Sequence, residues 1–289
     1  MIAALDFLTG PWEHAFLQRA FVVAAICGVV CGAIGCHVVL RGMAFIGDAV
    51  AHAVFPGVAL AFVLQADLVL GGGVAGLITA LAIAVFAQNR RLREDTVIGV
   101  FFAASFGAGI VLLSTTSAYS GSLESFLFGS ILGISDGDVR LVAIVGALLL
   151  LALLAINKEL VAVSLDRETA RAAGLPVAAL DLALYALVTI AIVISLQTVG
   201  NILVLALLVT PAACARLLTD RLSTMLVLAP AIGASCSLAG LYLSYHLDLA
   251  AGGLIVLVMT AVFFACFVAA PRHGLLARYR TSSDPKGTP

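Results

Sequence analysis

"LVTIAIVISLQTVGNILVLALLVT", residues 187–210, is an apolar stretch long enough to cross a hydrocarbon core of about 30 Å. It sits in a longer run from 177 to 218 that only "QTVGN" interrupts. Gln197, Gly200 and Asn201 suit a tight hairpin or a broken helix. Broken there, the run supplies two spans; unbroken, it supplies one and inverts everything that follows.

The rest of the chain repeats the theme. Of its 289 residues 63% are hydrophobic and 11% charged, with a net charge of −1 and a mean hydropathy of +1.18. That composition excludes an ordinary soluble domain and describes an all-α polytopic membrane protein. Apolar length and polar breaks predict about nine transmembrane helices, near 16–40, 44–65, 68–88, 96–116, 139–157, 178–197, 200–218, 222–245 and 250–270. Residues 1–271 form the transmembrane domain, and 272–289 are expected to be a short disordered cytoplasmic tail. No cleaved signal peptide is expected at the N-terminus. With the N-terminus outside, all but Arg19 and Arg140 of the fifteen Lys and Arg residues fall on the inner side, as basic residues do in cytoplasmic loops. That bias supports an odd number of spans and a cytoplasmic C-terminus.

Two segments between spans are more than loops. "GSLESFLFGSILGISDGD" (121–138) has an apolar core too short to cross, so it reads as an external interfacial or re-entrant helix, with Glu124 near its start. "NKELVAVSLDRETARAAGLPVAALD" (157–181) lies on the inner side. Ser164 or Asp166 can cap a short helix there, with Glu168 in its first turn, Arg171 near its last, and Gly174 in the "GLP" that stops it.

One span carries chemistry. In "MAFIGDAVAHAVFPGVALAF" (43–62) Asp48 and His52 are four residues apart and share a helix face. Counted from Arg41, His52 lies about 16 Å into the membrane. An aspartate at that depth costs about 2.5–3.5 kcal/mol, so it faces a cavity or a partner. Carboxylate oxygen and imidazole nitrogen suit Mn(II), Fe(II) or Zn(II), but two ligands are too few to hold such an ion alone. Ala44, Gly47, Ala49, Ala51, Ala53 and Gly57 let a neighbouring helix come close, and Pro56 can bend the helix beyond His52. The six cysteines all fall in apolar runs and read as small hydrophobes, Cys27 and Cys31 sharing a face.

The stretches "LRGMAFIGDAVAHAVFPGVALAF" (40–62), "REDTVIGVFFAASFGAG" (93–109), "LESFLFGSILGIS" (123–135), "LDRETARAAGLPV" (165–177) and "TVGNILVLALLVTPAACARLLTD" (198–220) resemble the membrane permeases of ATP-binding-cassette importers for manganese, zinc and iron(II). The resemblance implies a homodimer in a prokaryotic inner membrane, separate cytoplasmic ATPase subunits, and an external metal-binding protein. It implies that Asp48 and His52 are metal ligands on the path, and that the metal is transported rather than kept as a cofactor. Ala51 stands where family members commonly carry a hydroxyl residue. The 165–177 helix, with Asp166, Glu168, Arg171 and Gly174, is then expected to couple to the ATPase, and His246 and Glu124 to serve metal access or docking at the outer rim.

Other classes fit less well. No phosphate-binding loop surrounds Lys158 or Lys286, so the chain is not expected to be an enzyme. An ion-coupled carrier would use Asp48 and His52 as a proton relay but has no need of the capped inner helix. An intramembrane protease lacks its motifs, and nothing points to nucleic acid.

Overall fold

The computed structural model describes residues 13–88, 92–114 and 133–270, and these are helical without strands. In chain order the helices are α1 (Ala15–Leu40), α2 (Ile46–Val63), α3 (Leu68–Phe86), α4 (Glu94–Ser114), α5 (Asp136–Ala155), α6 (Asn157–Leu165), α7 (Arg167–Ala172), α8 (Val177–Val199), α9 (Asn201–Leu218), α10 (Leu222–Leu247) and α11 (Ala251–Ala269). Within α1, α4, α5, α8, α10 and α11 lies a stretch long and apolar enough to cross a membrane; α2, α3 and α9 contribute shorter apolar stretches.

Helix ends follow local chemistry. Ser135 caps α5 in a reciprocal pair with Asp138, so Asp136–Asp138 form the first turn of that long helix rather than the end of an external one. Most of the expected external helix, Glu124 included, lies outside the described residues, as does the 272–289 tail. The Asp67 carboxylate accepts from the Leu70 amide at the start of α3. Between α8 and α9 a single residue, Gly200, takes φ +87° and ψ 161°, a conformation that side-chain-bearing residues avoid. The expected break in the long apolar run is therefore real and one residue long.

Contacts define two ends of the bundle. Arg19 of α1 pairs with Asp136 at 2.8 Å and donates to the Ile134 carbonyl at 3.2 Å, so α1 and α5 start together. Arg41, Glu94, Arg167 and Asp181 gather at the opposite end. The core is built around α1, which packs on α10, α9, α5 and α8. Small residues bring backbones together there and beside it: a Cβ on Gly28 would meet the backbone of Gly233, and one on Gly57 of α2 would meet Gly71 and Ala75 of α3. Two buried hydroxyls are satisfied within their own helices, Thr189 by the Tyr185 carbonyl and Ser237 by that of Gly233, both at 2.8 Å. The outside is apolar: Ile144, Leu148 and Leu151 of α5 form one exposed stripe, and Val100, Ile110 and Val111 of α4 are exposed as well. A lipid phase suits such a surface and water does not.

Candidate metal site and the charged end of the bundle

Asp48 lies in the first turn of α2 and His52 one turn later, with Nε2 to Oδ1 3.5 Å apart. The pair is neither buried nor free, its side chains being 31% and 23% exposed. Across from it α4 supplies two phenyl rings, Phe102 at 5.0 Å and Phe106 at 5.3 Å from the imidazole centroid, both meeting it nearly at right angles. Two aromatic walls restrict the imidazole's orientation and leave the face it shares with Asp48 open. The arrangement offers one oxygen and one nitrogen donor to a borderline divalent ion. Among the described residues no group of three or more His, Cys, Asp or Glu side chains is placed to hold a metal.

Residues 41–45 are turns, with Gly42 at φ +70°, and α2 starts at Ile46, so a count of helical rise from Arg41 does not measure the depth of His52. Its neighbours do. Phe102 and Phe106 lie eight and twelve residues beyond Glu94, which places the imidazole about 12–18 Å along α4 from the charged end. Of the small residues flagged in this stretch, Gly57 faces α3 and Gly47 faces Leu205 and Leu208 of α9; Pro56 lies inside α2.

The 157–181 segment contains two short helices. Asp166 caps α7, accepting from the amides of Glu168 (2.9 Å) and Thr169 (3.2 Å) and from the Thr169 hydroxyl. Ser164 instead accepts from Arg41 Nε and donates to the Leu160 carbonyl. Glu168 stands in the first turn of α7 and Arg171 in the last. Gly174, at φ +82°, ends the helix: its amide bonds the Arg171 carbonyl, and the Leu175 amide bonds that of Ala170. Arg167, Glu168, Arg171 and Asp181 line a hollow of about 260 Å³ beside α7 with Gln88.

The sequence offered no sign of what Arg41 and Asp181 do. Asp181 lies in the second turn of α8 and is buried, taking Arg41 on one carboxylate oxygen and Arg167 on the other, each at 2.6 Å. Arg167 also pairs with Glu94 at 3.2 Å. Spacing cannot reveal such a cluster, because its members lie up to 140 residues apart.

At the far end His246, in the last turn of α10, packs against Tyr242 (4.7 Å) and Tyr245 (5.2 Å), and Tyr245 in turn lies 6.1 Å from His14. His37 is buried near the charged end, away from the Asp48–His52 pair. None of the six cysteines forms a disulfide; Cys27 and Cys31 sit in the core, Cys31 3.7 Å from the Ser195 hydroxyl.

An all-helical bundle with an apolar exterior, a carboxylate–imidazole pair along one inner helix and a short capped helix at its charged end has the architecture of a membrane-embedded protein. The model of the ABC 3 transport family matches residues 13–270, and the chain belongs to that family. It is 41% identical to the manganese transport system membrane protein MntC of Halalkalibacterium halodurans, covering 92% of this chain and 91% of that one. With the chelated iron transport system membrane protein YfeC of Yersinia pestis it shares 42% identity over 96% and 94% of the two chains. Among solved structures, PsaBC from Streptococcus pneumoniae in complex with Fab superposes with a TM-score of 0.82 at 38% identity, covering 98% of this chain and 100% of that one.

Proposed function

We propose that this chain is the membrane-spanning permease of an ATP-binding-cassette importer for a divalent transition metal, with manganese or iron(II) favoured over zinc. The observation that carries the reading is the Asp48–His52 pair, 3.5 Å apart on a partly exposed face and walled by Phe102 and Phe106. The names of the relatives, manganese and chelated iron transport proteins, support the choice of cargo.

In this reading the chain crosses an inner membrane nine times, α2, α3 and α9 included, with its N-terminus outside and its C-terminus in the cytoplasm. Two copies related by a two-fold axis along the membrane normal bring together two carboxylates and two imidazoles, enough to replace most of an ion's hydration shell. Two aspartates without a cation repel each other in a poorly solvated setting, and a divalent ion neutralises both. Occupancy therefore stabilises the dimer and serves as a cue for the cycle. The α7 helix, through Asp166, Glu168, Arg171 and Gly174, seats on a cytoplasmic ATPase whose strokes open the site to one side. His246 stands at the outer rim, where an external binding protein delivers the metal, and Glu124 is assigned from the sequence alone as a contact for that protein.

The test is uptake of radiolabelled manganese by cells carrying the permease, its ATPase and its binding protein. Asp48→Asn and His52→Ala should each reduce uptake to background while membrane insertion and dimer assembly persist. Near-normal uptake by either variant at matched expression rules out the site. Uptake that continues with the ATPase inactivated identifies an ion-coupled carrier instead.

A further inference from the structure

The cluster at the charged end joins unequal bonds. Arg41 and Asp181 are 5% and 3% exposed, whereas Arg167 and Glu94 are 39% and 21% exposed. The first pair, backed by Arg41 donating to Ser164 Oγ (3.0 Å) and to the Leu160 carbonyl (3.5 Å), pins the end of α1 to α8 and α6. Removing one member of such a buried pair strands the other charge, so this pin does not part in a working cycle. The Arg167–Glu94 pair is longer, at 3.2 Å, and more exposed, while Arg167 keeps its second contact with Asp181 at 2.6 Å. The second Glu94 oxygen, Oε2, is enclosed and has no hydrogen-bond partner among the described residues, so the carboxylate is only half satisfied where it stands.

The two residues of that weaker pair hold distinctive positions. Arg167 is the first residue of α7, and Glu94 is the first residue of α4. From Glu94 the helix runs unbroken past Phe102 and Phe106, whose rings wall in His52. The main neighbours of α4 are α2 and α3; it stands apart from the core that α1 forms with α9 and α10. A helix is stiff over two or three turns, so α4 can tilt or slide against α2 as one piece when its base is pulled.

We infer that the Glu94–Arg167 pair is a joint that couples displacement of α7 to α4, and that α4 acts as a rod whose Phe102 and Phe106 change the hold of Asp48 and His52 on the metal. Glu94 is thus a positioning residue for the metal site, acting through a helix rather than by ligation. The inference rests on the reading of this chain as the permease of an ATP-driven importer.

The test uses the full complex of permease, ATPase and binding protein in proteoliposomes, with manganese as the probe and uptake per ATP hydrolysed as the readout. Glu94→Gln should lower that ratio about fivefold or more while the ATPase still copurifies, the scale of an ordinary coupling energy. Phe102→Ala should do the same, and the double variant should fall no further than the worse single one, since both break one rod. A purely structural role predicts losses that multiply and melting temperatures that fall additively, and either pattern overturns the inference. So does a Glu94→Gln ratio equal to that of the unsubstituted complex. Should the Gln variant not assemble, Glu94→Asp, which keeps the charge and shortens the arm, is measured against the same criteria. If the unsubstituted complex shows no metal-dependent ATP turnover, the function proposed above fails, and that outcome is distinct from a coupled complex indifferent to Glu94.

Discussion

Asp166 does its work with one carboxylate. Donation by the Thr169 hydroxyl, and by the Thr169 and Glu168 amides, holds its carboxyl below the usual carboxylate range. The folded chain therefore favours the ionised form, and the cap contributes fully above the ordinary aspartate value of about 4 and is lost as pH falls through the lowered value. Hydrogen exchange should find the Glu168 and Thr169 amides equally protected at about pH 7 and pH 5 and less protected below about pH 4. In Asp166→Ala the protection should be weak at every pH. Protection in that variant equal to the unsubstituted chain would show that α7 is held by its neighbours and not by its cap. Asp166, Gly174 and the Asp48–His52 pair were legible in the sequence because capping and i, i+4 spacing are local rules. Asp181 was not, since it reads as one more acid near the start of a span until Arg41 and Arg167 close on it.

At the scale of elements, apolar length and polar breaks located the long helices to within a few residues, and the differences have local causes. The start of α5 moves back to Asp136 because Ser135 and Asp138 cap each other, and α2 starts at Ile46 because the chain turns at Gly42. The 157–181 segment divides in two because Asp166 ends α6 and caps α7 at once. Gly200 has the sharpest requirement, since φ +87° with ψ 161° is open to little besides glycine. Gly200→Ala should destabilise the protein by about 1–3 kcal/mol. Thermal unfolding in detergent, read by tryptophan-independent dye binding to the cysteines, should show a clear fall in Tm. An unchanged Tm would mean that the junction relaxes into another backbone without loss.

For the whole molecule, the proposed orientation is the statement most open to direct test. Glu13 and Glu168 lie at opposite ends of the bundle and are exposed. Single cysteines there, in a chain freed of its six native ones, should differ in intact cells: an impermeant thiol reagent should label Glu13→Cys and spare Glu168→Cys until the membrane is opened. Labelling of Glu168→Cys alone would invert the topology, and labelling of both would break the proposed assignment of sides.

The sequence by itself determined that this is a helical membrane protein, where its long apolar run could break, and which acid and imidazole share a helix face. Those properties follow from composition, spacing and backbone chemistry within a few turns of chain. Only the tertiary structure decided that α4 lays Phe102 and Phe106 against His52, and that Arg41, Glu94 and Arg167 gather with Asp181 in one cluster. Such contacts depend on which helices become neighbours, and close approach at residues such as Gly28 and Gly57 sets that through the packing of whole surfaces.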